Sequence, residues 1–178
     1  MIVRKFNNRY GEYFKEPDTY HGKVLRILGL DGKNKMSKSL NNHISLSLTA
    51  EETEKLIMQK AVTDTNRKLK TDAGNPDICN VYSYHKIFSS EEEKNEVYEG
   101  CKNASIGCVQ CKRMLAKNIN DELAPIRENI NKYSNDKDYV YDVLKEGAEK
   151  ASETAEKTLY EVRDLMGLID NKRKQLYS

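Results

Sequence analysis

Cys108, Cys111, Leu115, Ile119, Leu123, Ile126 and Ile130 recur at steps of three and four. That spacing lays seven apolar or thiol side chains along one face of an α-helix and fits no strand, whose faces alternate every second residue. A helix this long has to bury its stripe against other helices, so the chain is expected to be mainly α, with Pro125 as a candidate kink.

The rest of the chain supplies the partners. "TAEE" at Thr49 is a capping box and opens a helix carried on by Leu56 and Ile57. "NPD" offers Asn75 as a cap and Pro76 as a first helical residue, which predicts a helix to about Phe88. "SEEE" at Ser90 caps a shorter helix that Gly100 is placed to end. From about Asp138 to Met166, Val140, Leu144, Ala148, Ala151, Ala155, Leu159 and Val162 form one more stripe, whose small residues imply close helix packing, with a stop near Gly167. Residues 170–178 are polar and basic, and are expected to fray.

Residues 1–48 read differently. Gly11, Pro17, Gly22, Gly29 and Gly32 interrupt short apolar pieces such as Val24 to Leu30, and no helical period emerges. They are expected to be the end of a larger unit, with a boundary between residues 48 and 49.

Charged residues make up 33% of the chain and tryptophan is absent, a profile of soluble helical proteins. No apolar run approaches the roughly 18 residues of a membrane span and no signal peptide is visible, so the expected location is cytoplasmic and off the membrane. A net charge of +2 is too small to mark a nucleic-acid binder by itself, so local patches have to carry that argument.

One such patch is "GLDGKNKMSKSLNN", residues 29–42, with three lysines and little to bury. Ammonium groups on long flexible stems suit a multiply charged anion such as a triphosphate, and serines add hydrogen bonds without bulk.

Cys79, Cys101, Cys108 and Cys111 are separated by gaps of 21, six and two residues. Four thiols can ligate zinc or an iron–sulfur cluster, and thiols on an apolar stripe can equally be small core residues. Spacing alone leaves all three open.

The string "KMSKS" at Lys35 to Ser39, preceded by "GLDG", resembles the second signature of class I aminoacyl-tRNA synthetases. "KAVTDT" (Lys60 to Thr65), "GNPDICNVYSYHKIF" (Gly74 to Phe88), "GCVQCKRMLA" (Gly107 to Ala116) and "LAPIRE" (Leu123 to Glu128) extend the resemblance to bacterial-type tryptophanyl-tRNA synthetases. A tyrosine-specific relative is the lesser rival, disfavoured by "GNPDICNVYSYH".

The resemblance implies a helical anticodon-binding domain over 49–178, preceded at 1–48 by a remnant of a Rossmann-like catalytic domain. Lys35 and Lys38 would be catalytic, steadying the pyrophosphate leaving group, and Lys35, Met36, Ser37, Lys38 and Ser39 would contact ATP, which arrives with magnesium. The cysteines would hold a 4Fe–4S cluster, zinc being the alternative, although the long gap is one residue shorter than in the family pattern. Lys112, Arg113 and Arg127 would contact tRNA(Trp), followed by Lys102, Lys117 and Tyr84, because splayed bases stack on guanidinium and aromatic planes. "NRKLK" at Asn66 to Lys70 is a further basic cluster able to meet phosphate.

The family's "HIGH" signature and tryptophan pocket are not in this sequence, so the chain is expected to be the C-terminal part of the enzyme and inactive alone. The missing half would bind tryptophan and carry most of the homodimer contact. A competing reading is a non-catalytic, metal-stabilised helical RNA-binding module.

Overall fold

The protein is described here by a computed structural model covering residues 1–22, 24 and 26–169. The expected fraying tail, and Leu25 within the first apolar segment, lie outside the described residues. Six α-helices follow in order: α1 (Ile2–Tyr10), α2 (Ala50–Lys60), α3 (Asn80–Phe88), α4 (Glu91–Lys102), α5 (Cys108–Ser134) and α6 (Lys137–Leu165). Among the described residues there is no strand, and a lone antiparallel bridge joins Leu28 to Lys35. No described helix is long and apolar enough to cross a membrane.

The chain divides into two compact units, one made of Met1–Tyr20 with Asn135–Ser178 and the other of His21–Ser134. This division by contacts differs from a cut at residue 48, because the basic loop is hydrogen-bonded into the helices that follow it.

In the larger unit, α5 packs against α2 and α3. Leu115, Ala116, Ile119 and Leu123 of α5 meet Ile57, Ala61, Val81, Tyr84 and Leu30 in the core. The expected stripe is therefore buried only from Leu115 to Leu123, with Cys108 and Cys111 half-buried. Ile126 and Ile130 are 38% and 39% exposed, where α5 runs past the ends of its partners. The helix continues through Pro125 to Ser134.

Both capping boxes form. The Thr49 hydroxyl accepts from the Glu52 amide while the Glu52 carboxylate accepts from the Thr49 amide, and Ser90 and Glu93 do the same for α4. Two helix boundaries differ from expectation. Asn75 does cap at Pro76, but the turn it opens is 3₁₀ and lasts only to Ile78; α3 starts afresh at Asn80 with Cys79 as its N-cap. Gly100 does not end α4, which runs to Lys102. It is buried, and a Cβ there would stand 2.7 Å from the Ile106 side chain, so its smallness serves a close approach rather than a stop.

The smaller unit contains a helix at α1 that the apolar pattern did not announce. The Asn7 side chain binds the backbone of Tyr13 and Phe14, and Phe6 packs its ring on Tyr10, Tyr13 and Phe14. The Tyr13 hydroxyl donates to Glu161 of α6 at 2.6 Å. No residue of α6 is buried, contrary to the close packing its alanines imply. Ala151, Ala155, Leu159 and Val162 instead line an open groove beside Phe14.

Leu115 is 1% exposed, so Leu115→Ala leaves a cavity and lowers stability by about 2–5 kcal/mol. Ile130→Ala is expected to stay within about 0.5 kcal/mol of the parent. Urea unfolding of the two variants checks the contrast.

Candidate functional site

The basic loop is a small hydrogen-bonded device rather than a loose coil. Gly29 N–H donates to the Asn34 carbonyl, Met36 N–H to Ile27, and Gly32, at φ +66°, N–H to Gly29. The Asp31 carboxylate accepts from the amides of Lys33 and Asn34 and from the Asn34 and Asn42 side chains. The Lys33 amide and the Asn42 amide group do most to hold its pKa down, at about 2.

Asn42 is the pivot. It is buried, accepts from the Ser37 amide at 2.8 Å, and donates to Asp31 and to the Lys35 carbonyl. A Cβ at Gly29 would lie 2.1 Å from its amide nitrogen, so glycine is required there by contact. The frame leaves Lys35, Lys38 and Ser39 exposed and Ser37 half-buried, while Met36 packs against the core. Ser37 Oγ and Ser39 Oγ share a hydrogen bond of 2.8 Å. Among the described residues, neither Lys35 nor Lys38 is in an ion pair, leaving both ammonium groups available to an anion.

Helix α3 ties this loop to the cysteines. Asn80 Nδ2 donates to the Gly29 carbonyl at 2.9 Å and the Tyr84 hydroxyl donates to the Leu28 carbonyl. Burial pushes the Tyr84 pKa up to about 12. Tyr84 is thus a core residue holding the loop, not a surface platform for a base.

The four cysteines are all free and half-buried. Cys79 caps α3, Cys108 and Cys111 lie in the first turn of α5, and Cys101 lies at the end of α4. They form one electrostatic neighbourhood. Burial and then the charges of Cys79, Cys101 and Cys108 push the Cys111 thiol up to about 12. Burial also raises Cys101, against the Arg67 guanidinium, which lowers it. Among the described residues no group of three or more His, Cys, Asp or Glu side chains is placed to hold a metal ion.

Two side chains that the sequence did not connect with the cysteines touch these thiols. Arg67 Nη1 lies 3.8 Å from Cys101 Sγ, and the fully buried His85 ring sets Nε2 3.4 Å from Cys111 Sγ. Burial lowers the His85 pKa, favouring the neutral ring. Neither residue falls on a spacing pattern with the cysteines, so only the folded chain brings them together.

The proposed RNA contacts separate. Arg113 is exposed and lines an open groove of about 770 Å³ with Arg67, Lys68, Lys70, Cys108 and Met114. Lys112 instead donates to the Met58 carbonyl at 3.0 Å, and burial lowers its pKa. The Arg127 guanidinium is divided among the Leu48 carbonyl, Thr53 Oγ1 and Asn120 Oδ1, clamping α5 to the start of α2. Lys117 is paired with Asp121, and Lys102 lies over the Tyr98 ring. Four residues of "NRKLK", Arg67 to Lys70, line the groove.

Comparison with known proteins places this arrangement. The family model described as tRNA synthetases class I (W and Y) matches residues 1–124. A tryptophan–tRNA ligase of Thermotoga maritima is 47% identical over 169 residues, covering 94% of this chain and 51% of that protein. One from Deinococcus radiodurans is 43% identical over 170 residues, with the same coverage. The crystal structure of a tryptophanyl-tRNA synthetase from Campylobacter jejuni, complexed with ADP and tryptophan, superposes with a TM-score of 0.76 at 27% identity, over 94% of this chain and 51% of that one. The chain spans about half the length of the relatives it matches.

Two outcomes follow from the loop geometry. Gly29→Ala drives the Asn42 side chain from its place, costing about 1–3 kcal/mol for the buried amide left unpaired, and hydrogen exchange at the Ser37 amide accelerates. Asp31 has a folded pKa below its ordinary 3.8, so its contribution to loop order is present above about pH 3.8 and is lost as pH falls toward 2. The Lys33 amide resonance should therefore titrate with a midpoint well below 3.8.

Proposed function

Since the chain belongs to the class I tRNA synthetases of the tryptophan and tyrosine group, we propose that it is the C-terminal part of a tryptophan–tRNA ligase. The whole enzyme joins the tryptophan carboxylate to the α-phosphate of ATP, releasing pyrophosphate, and then passes the acyl group to a terminal ribose hydroxyl of tRNA(Trp), releasing AMP. Identity of 41–47% to named tryptophan–tRNA ligases across 94% of the chain carries this reading.

Residues 1–48 end the catalytic domain and 49–178 form the anticodon-binding domain. Lys35 and Lys38 meet the β- and γ-phosphates of magnesium-bound ATP and offset the charge that grows on departing pyrophosphate. Their freedom from ion pairs supports this role, as does a frame that keeps the backbone still while the ammonium groups move. Ser37 and Ser39 add hydrogen bonds, and Met36, half-buried in that frame, lies against adenine through its backbone. Tryptophan is bound by the half of the ligase this chain does not span, and the enzyme works as a cytoplasmic homodimer.

The four cysteines hold a 4Fe–4S cluster, with zinc as the alternative. The donor set suits such a group: four half-buried thiols, three of them at helix N-termini, where the helix dipole favours thiolate. A single zinc ion would draw its sulfurs to about 3.8 Å of one another, given Zn–S bonds of about 2.3 Å. Cys79, Cys101, Cys108 and Cys111 would each supply one thiolate to the cluster. The group's contribution is structural, pinning the segments that form the basic groove. RNA contact falls on Arg113 with Lys68 and Lys70, since Lys112 and Arg127 are committed within the fold.

The purified chain is expected to bind tRNA(Trp), to lose about tenfold in affinity on Arg113→Ala, or about 1.4 kcal/mol, and to show no tryptophan-dependent ATP–pyrophosphate exchange by itself. Filter binding against the same tRNA with a replaced anticodon is the check. Equal affinity for both tRNAs would overturn anticodon recognition, and exchange activity would overturn the division of labour.

A further inference from the structure

The four thiols do not share one electrostatic setting. Cys79, Cys108 and Cys111 lie at the starts of helices, where unpaired amides stabilise negative charge. Cys101 is next to last in α4, where the negative end of the helix dipole opposes a thiolate. It is this sulfur that the Arg67 guanidinium approaches.

Arg67 is built inward. Its Nη2 donates to the Lys70 carbonyl at 2.7 Å, its Nε is buried without a partner among the described residues, and its Nη1 is turned to Cys101 Sγ. Gly74 makes the approach possible: a Cβ there would lie 2.5 Å from Cys101 Sγ and 3.2 Å from Arg67 Cδ. The Gly74 amide donates to the Cys101 carbonyl at 2.9 Å, and Asp64 holds the segment closed by accepting from the amides of Asn66 and Asn75.

His85 reaches the centre from the other side. Its Nε2 lies 3.2 Å from the Cys111 carbonyl oxygen and 3.4 Å from Cys111 Sγ. A carbonyl has no proton to give, so Nε2 carries the hydrogen, shared between that oxygen and the sulfur. Nδ1 is then an acceptor and takes the Ser89 hydroxyl proton at 2.7 Å, while Ser89 Oγ accepts from Asn118. The chain Asn118, Ser89, His85 therefore fixes the tautomer that points N–H at Cys111.

We propose that Arg67 and His85 are positioning residues of the cysteine centre, each directing an N–H hydrogen bond at one ligating sulfur. This rests on the cysteines binding a metal group. Core thiols would need neither a guanidinium nor an oriented imidazole, whereas metal-bound thiolates are commonly held by such outer donors.

The test reconstitutes the full chain with iron and sulfide without oxygen, then compares iron release to a chelator and reduction potential in the parent, Arg67→Met, Arg67→Lys, His85→Phe and His85→Gln. Thermal unfolding of each metal-free variant is the fold control. The parent is expected to take up about four irons. Arg67→Met and His85→Phe should release iron roughly 10–100 times faster and have lower potentials, because a positive charge or an N–H no longer offsets the electron added on reduction. Arg67→Lys and His85→Gln, which keep a donor and are less prone to misfold, should recover part of the potential. Parent-like release and potential in the Met and Phe variants would overturn the positioning roles alone. A parent chain that takes up neither iron nor zinc would overturn the metal reading and this proposal with it; zinc uptake leaves the release rate as the readout.

Discussion

The hydrogen bond from the Asn80 side chain to the Gly29 carbonyl is buried and 2.9 Å long. With Tyr84 on the Leu28 carbonyl, it fastens the basic loop to α3, whose N-cap is Cys79 and whose last turn carries His85. A helix of nine residues is too short to be stable on its own. It persists because Val81 and Tyr84 pack under α5 while its polar residues face two different partners. Replacing Asn80 or Tyr84 by an apolar residue would deprive a loop carbonyl of its partner, a larger loss than the bond itself where the carbonyl stays buried.

Much of this was legible in the chain. The two capping boxes, the α5 stripe and the KMSKS string depend on residues within a few positions of one another, and local spacing reports such things directly. The break at Cys79 was not legible, because Asn75 and Pro76 are equally good openers for a 3₁₀ turn and an α-helix, and the choice falls to the docking of Asn80. The small residues of α6 misled in the same way: alanine at helical spacing permits close packing without supplying a partner, and no α6 residue is buried.

Charge was read least well. Lys112 and Arg127 look alike in sequence to Arg113, yet two of the three spend their donors on carbonyl and hydroxyl groups inside the fold. Arginine has five donors in a fixed fork, and where helix ends leave carbonyls unpaired it is drawn to them as readily as to phosphate. Position on the tertiary surface decides, and no linear pattern reports it.

Because α3 carries the loop on one face and cysteine contacts on the other, the two sites share one rigid element. Any ligand that favours one setting of α3 over another at the loop must change binding at the thiols by the same factor, and the reverse, since linkage between equilibria is symmetric. Ligands of the loop and of the thiols that never touch would then report on each other through one short helix.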